Sequence, residues 1–274
     1  MNASKPDDPT ANGYFMKKNT NTCVFAAKDV SKNFGGIHAL SNVTLTIGRQ
    51  EIISMIGPNG AGKSTFINVV TGVYAPDTGD IRFQGRQIAG LPAHVIARLG
   101  IGRTFQLEEL FPNLTVLENA MVGCHTEGRC GIFSAGLRLS AGRREEHRIR
   151  QAAMENLDLI GLTHRADQAV QRLPLGERKL VGIARALGMK PTLLLMDEPV
   201  GGLAAHETEK LTGVLQTIVE NGLTILIVEH NMPFVMSISQ RVIVLDGGQK
   251  LVEGTPDEVK NDSRVIQAYL GEEV

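Results

Sequence analysis

The chain has 274 residues, of which 42% are apolar and 21% charged, with a formal net charge of −1. That length suits one large domain or two small ones, and the near-neutral balance argues against a dedicated nucleic-acid binder. Cys23, Cys124 and Cys130 offer neither an even-numbered disulfide framework nor a C-x-x-C pair, which points to a reduced compartment and away from a metal site.

The polar stretch up to about Thr22 reads as a disordered tail without a secretory leader. Cys23 to Val30 and Asn42 to Ile47 alternate like half-buried strands. Glu51 to Ile56 is a short apolar strand running into Gly57, and Lys63 to Thr71 reads as a helix. Asp80 to Phe83 and the residues after Gly85 suggest a strand hairpin. Thr115-x-x-Glu118 is a capping box that opens a helix through Val122. Thr126 to Gly142, rich in Gly, Ser and Arg, reads as a loop or insertion.

Arg143 to Ile160 is expected to be helical, with Ile149, Ala153, Leu157 and Ile160 on one face. Leu193 to Asp197, Leu223 to Val228 and Arg241 to Asp246 read as buried strands, with a helix over His206 to Glu220. Strands alternating with helices predict a parallel α/β core. The longest apolar runs fall far short of the ~20 residues a membrane span needs.

Two stretches carry chemistry. Gly57-Pro58-Asn59-Gly60-Ala61-Gly62-Lys63-Ser64, followed by Thr65, fits G-x-x-x-x-G-K-S/T between a strand and a helix. Glycines there let backbone N–H groups curl around phosphates at a helix's positive end. Lys63 would reach the β- and γ-phosphates, and the Ser64 hydroxyl would ligate magnesium. Further on, Leu193-Leu194-Leu195-Met196-Asp197-Glu198 is a buried strand ending in two carboxylates. Asp197 at its tip could hold magnesium, and Glu198 could polarise a water against the γ-phosphate. Parallel α/β sheets place ligands at strand carboxyl ends, which favours this over a merely solvated strand end. His230 follows the neighbouring apolar strand and could touch the γ-phosphate.

The order of phosphate loop, Gln106, "LPLGE", "LLLMDEP" and His230 resembles the ATP-binding cassette of ABC transporters over about residues 24 to 255. The phrases "GRTFQ", "FPNLTVLENAMVG", "DEPVGGL", "VEHNMPFVM" and "VIVLDGGQKLVEGTPDEV" are similar to ATPase subunits of branched-chain (hydrophobic) amino-acid uptake systems. The resemblance implies an α/β P-loop cassette from residue 23 to 274, with a parallel core sheet and an antiparallel β subdomain. It also implies a helical subdomain inserted at about 107–172 and a helical end from about 256. ATP and Mg2+ would be its cofactors. Phe34 would stack on adenine, and Gln106 would sense magnesium and the attacking water. Leu173, Gly176 and Glu177, in the segment Leu173 to Glu177, would face the nucleotide of an opposing ATPase subunit. Gly201 to Ala204 would cross the dimer seam, where Ala204 stands in place of the usual Asp or Asn.

The implied partners are transmembrane permease subunits, a second ATPase subunit in a homo- or heterodimer and, indirectly, a substrate-binding protein, with no nucleic acid. The implied location is the cytoplasmic face of the inner membrane, peripherally. In the "LPLGE" segment Pro174 suits a first helical turn, whereas Leu175 replaces a glycine. Glu177 requires a cation such as Arg178 or an outward orientation. A GTPase would need an N-K-x-D, and no Asn here precedes a Lys. A P-loop kinase would not need the "IARAL" helix. The remaining alternative is a soluble ABC-type ATPase acting on nucleic acid or in translation. Such proteins usually carry two cassettes or basic patches.

Overall fold

The computed structural model describes residues 23–104, 110–124 and 140–270. The expected tail, Gln106, Cys130 and residues 126–139 of the expected insertion lie outside the described residues.

Two sheets organise the chain. The first is antiparallel, with β1 (Phe25–Phe34), β2 (Ile37–Ile47), β4 (Thr78–Phe83) and β5 (Arg86–Gln87) in the order β2-β1-β4-β5. β1 and β2 run further than their apolar alternation suggests. Pairing persists through Lys32↔Leu40 and Phe34↔Ile37 with register shifts on the way, because a hairpin supplies backbone partners even to polar residues.

The second sheet contains β3 (Ile52–Ile56), β6 (Ile101–Arg103), β7 (Leu193–Asp197), β8 (Thr224–Val228), β9 (Arg241–Asp246) and β10 (Gln249–Gly254). Its order is β10-β9-β3-β8-β7-β6, and every pairing but β10 with β9 is parallel. Apart from Ser54, Thr224 and the terminal Asp197, the central strands β3, β8 and β7 are apolar, because both faces are covered.

The helices α1 (Lys63–Val70), α2 (Ala93–Arg98), α3 (Val116–Cys124), α4 (Ser140–Leu159), α5 (Leu175–Leu187), α6 (Ala205–Glu220) and α7 (Met232–Ile238) are followed by α8 (Pro256–Asn261) and α9 (Ser263–Leu270). The capping box forms as expected: the Glu118 carboxylate accepts from the Thr115 N–H at 2.7 Å, and the Glu118 N–H donates to the Thr115 hydroxyl at 3.1 Å. α4 starts at Ser140, so the last three residues assigned to the insertion, Ser140 to Gly142, are helical. Its Ile149, Ala153 and Leu157, with Ile160 just beyond, are all buried against α3 and α5. Full burial of a Leu or Ile contributes roughly 1.5–3 kcal/mol.

Successive residues of the central strands serve opposite faces. Leu194, Met196, Ile225 and Ile227 join α3 to α6 in one apolar cluster. Leu193, Leu195, Leu226 and Val228 join α1 and the antiparallel sheet in another. No described helix is long and apolar enough to cross a membrane.

Candidate functional site

The carboxyl ends of β3, β8 and β7 lie side by side. Met55 pairs with Val228 and Val228 with Asp197, so the residues that follow these three leave the sheet at one level. The strand ends thereby bring together Gly57 to Ser64, Asp197 with Glu198, and His230.

The loop after β3 is shaped by backbone crowding. A Cβ on Gly57 would lie 2.0 Å from the Leu245 carbonyl oxygen, and one on Gly62 would lie 2.5 Å from that of Ala39. Both residues also sit at positive φ, 150° and 98°, so no other residue type fits either position without displacing a neighbouring strand. Gly62 is the N-cap of α1, which has no side-chain cap and no acidic residue in its first turn. Its positive end is thus left to an external anion. Lys63 Nζ donates to the carbonyls of Gly57 at 2.6 Å and Pro58 at 2.8 Å, close to where phosphate oxygens would compete for it. Asn59, Gly60 and Ser64 are exposed, and Thr65 is half-buried.

Asp197 ends β7 half-buried. Burial pushes its carboxyl above the usual aspartate range and Glu198 adds to this, while Arg103 and Lys63 pull the other way. Arg103 was not singled out from sequence. It stands 3.4 Å from Asp197 and donates to Asn68 of α1 at 2.8 Å, tying the acidic strand to the phosphate-loop helix. Glu198 has φ 48°, a left-handed conformation that is costly for a residue with a Cβ. Three bonds hold it there. Its N–H donates to Val228 O at 2.9 Å, and its own carbonyl accepts from Gly201 N at 3.2 Å and Lys179 Nζ at 3.1 Å. The Glu198 carboxylate remains exposed, 3.4 Å from Nδ1 of His230.

Lys179 lies one turn into α5, and burial lowers its pKa against the opposing pull of Glu229 and Glu198. With Thr104, Leu175, Arg178, Asp197 and Glu198 it lines a cavity of about 360 Å³. Thr104 and Leu110, on either side of the undescribed stretch that includes Gln106, both line this cavity.

The segment Leu173 to Glu177 divides. Leu173 is buried in the helical core, so its side chain does not face outward. Pro174 is the N-cap of α5. Leu175 packs over Gly202, where a Cβ would meet it at 3.1 Å. The Gly176 N–H donates to Glu207 Oε1 at 3.1 Å, while Oε2 of the same carboxylate accepts from Ala204 N at 3.0 Å. Ala204 is itself the N-cap of α6. One carboxylate therefore serves the starts of two helices, a pairing of remote segments that no local pattern reveals. Glu177 meets a cation, as its charge requires, but the cation is Arg165 at 3.4 Å rather than Arg178. Adjacent residues on a helix point apart, so Arg178 could not turn back to it.

Phe34, at the end of β1, is 41% exposed. Its ring meets Tyr74 edge-on at 5.1 Å and carries Lys32 Nζ 5.5 Å from its centroid. The cationic and aromatic surroundings suit a flat, electron-rich ring.

Known proteins share much of this sequence and fold. Residues 40–201 match a family described as ABC transporter, and residues 249–274 match one described as branched-chain amino acid ATP-binding cassette transporter. The chain is 40% identical over 250 residues to the high-affinity branched-chain amino acid transport ATP-binding protein LivG of Salmonella typhimurium, covering 91% of this chain and 98% of that one. It is 38% identical over 250 residues to BraF of Pseudomonas aeruginosa, described in the same words, covering 91% and 98%. Among solved structures, the ADP conformation of MJ1267, an ATP-binding cassette of an ABC transporter, matches with TM-score 0.81 and 30% identity over 92% of this chain and 100% of that one. A dimeric bacterial ABC transporter cassette, MJ0796, matches with TM-score 0.71 and 29% identity over 85% and 98%.

Proposed function

The chain belongs to the ABC transporter family of ATP-binding cassettes, and from that premise we propose that it hydrolyses ATP to power import of branched-chain or related hydrophobic amino acids. The observation that carries this reading is the shared edge of β3, β8 and β7, which gathers a phosphate loop, two carboxylates and a histidine. The names of the relatives and the C-terminal match to the branched-chain family support the choice of cargo.

In this reading Gly57 to Thr65 bind the triphosphate through backbone N–H groups and Lys63. Phe34 stacks on the adenine. Glu198 accepts a proton from the attacking water, and His230, 3.4 Å from Glu198, steadies the γ-phosphate. Gly176 and Glu177 approach the nucleotide of a second ATPase subunit, with Leu173 fixing the segment from below. Gln106 reports on the γ-phosphate to the membrane partner.

The donor set suits Mg2+. Among the described residues no group of three or more His, Cys, Asp or Glu forms an all-protein cage, and Mg2+ in nucleotide sites takes few protein ligands, with phosphates and water completing the shell. Ser64 and Asp197 would hold it, with Gln106 beside them. Bound there, it would neutralise charge developing between the β- and γ-phosphates. The partners we assign are permease subunits, gripped by the helical segment of about 107–172, and a second cassette. They place the chain peripherally on the cytoplasmic face of the membrane.

Glu198→Gln tests the reading. The amide keeps the shape but cannot take the proton, so ATP turnover is expected to fall by about 10²–10⁴-fold. ATP binding should persist, and ATP-bound dimers should accumulate in light scattering. Turnover near the wild-type rate would remove Glu198 from the mechanism.

A further inference from the structure

Glu229 has no part in the mechanism above, yet among the described residues it is the one buried carboxylate. It follows the last residue of β8 and is 1% exposed. Its Oε1 accepts from the Val200 N–H at 3.0 Å. Its Oε2 accepts from the N–H groups of His230 at 2.8 Å and Asn231 at 3.0 Å. The first donor lies in the loop that carries Glu198, and the other two lie in the loop that carries His230. A buried carboxylate without a partner would be severely destabilising, so these bonds are obligatory for the fold it occupies.

The charge is also answered from a third element. Lys179 of α5 lies in the field of both Glu229 and Glu198 and donates to the Glu198 carbonyl at 3.1 Å. Three segments therefore meet at one buried anion: the end of β7, the end of β8 and the first turns of α5.

We infer that Glu229 is a positioning residue for hydrolysis, a clamp whose two oxygens fix the Glu198 loop and the His230 loop at one spacing, with Lys179 as its cationic counterpart. The inference rests on the assignment of Glu198 and His230 made above. Its logic is geometric. Glu198 sits in a left-handed conformation that its own chemistry disfavours, and the Glu198–His230 contact of 3.4 Å joins the two loops that the Glu229 carboxylate ties together. A carboxylate offers both loops acceptor oxygens. An amide offers one oxygen, so its NH2 must confront at least one of the three N–H donors and release one loop.

Glu229→Gln in the full-length chain is therefore expected to lower kcat for ATP by about tenfold to a hundredfold, the scale on which small misplacements of reacting groups act. KM and fluorescent-nucleotide affinity should stay unchanged, because the phosphate loop is untouched. Thermal melting establishes that the variant is folded. Lys179→Met, at a half-buried position where a side chain of similar length keeps the packing, should give the same loss in kcat alone and decides the matter if Glu229→Gln does not fold. A folded variant with wild-type kcat, or one whose loss appears equally in nucleotide affinity, overturns the clamp. Glu198→Gln run beside them separates the two ideas. If it retains turnover, the catalytic assignment fails; if it is inactive while Glu229→Gln and Lys179→Met are normal, only the clamp fails.

Discussion

Gly123→Ala sets helix propensity against packing. Gly123 lies in the last turn of α3, and a Cβ there would come 1.8 Å from the Arg185 carbonyl oxygen of α5, where real Cβ atoms essentially never come closer than 3.0 Å. The helices must part by more than an ångström. No rotamer relieves the contact, since both sides are backbone, and the crossing is tight in the other direction too: a Cβ on Gly188 would meet Cys124 N at 2.7 Å. Overpacking of this kind costs about 1–3 kcal/mol, and the absence of slack places this case at the upper end. The gain in helix propensity from Gly to Ala returns only ~1 kcal/mol. The net loss of about 2 kcal/mol corresponds to a fall of about 3–4 °C in Tm for a chain of this size. Scanning calorimetry reads it directly. Nucleotide affinity should not change, because the phosphate loop and α1 belong to the apolar cluster on the other face of the sheet. An unchanged or raised Tm would refute the reasoning, since propensity would then have outweighed a contact taken to be impossible.

Lys63→Ala removes the ammonium that the loop carbonyls hold at 2.6 and 2.8 Å. Loss of a charged hydrogen bond of ~1.5–3 kcal/mol should weaken ATP binding roughly tenfold to a hundredfold in a fluorescent-nucleotide titration. Asp197→Asn should abolish magnesium-dependent turnover yet raise the Tm of the nucleotide-free protein in chelator at neutral pH. The native carboxyl titrates above its unfolded value, so its ionisation costs stability as pH rises through that window. The advantage of the variant should therefore vanish in melting curves taken below the ordinary aspartate range. Gly176→Asp would set a second carboxylate against Glu207, since even a Cβ there lies 2.7 Å from Glu207 Oε1. ATPase activity of the assembled complex should be lost while ATP binding by the isolated chain survives, and retained activity would make the "LPLGE" segment vestigial.

The central strands and the phosphate loop were legible because each is a local pattern: an apolar run, a glycine spacing, a strand that stops at a carboxylate. What could not be read were contacts between segments distant in sequence. The helix expected to end at Val122 continues through Gly123 and Cys124, because that glycine is required by α5 rather than by its own helix. Arg103, Lys179 and Glu207 are unremarkable as letters. Each matters through a backbone or carboxylate supplied by a remote segment. Glu177 found Arg165 in a turn that the sequence did not predict.

The alternation of the central strands has a consequence for how this chain can drift. Leu194 and Leu195 are adjacent, but the first is packed with α3 to α6 and the second with α1 and the antiparallel sheet. The same division separates Ile225 from Leu226. Parity along a strand thus assigns each residue to one of two communities that share a wall and little else. Change at even positions of β7 is answerable to the helices, and change at odd positions to the phosphate-loop side. Substitutions that compensate one another should accordingly sort by parity rather than by closeness in sequence.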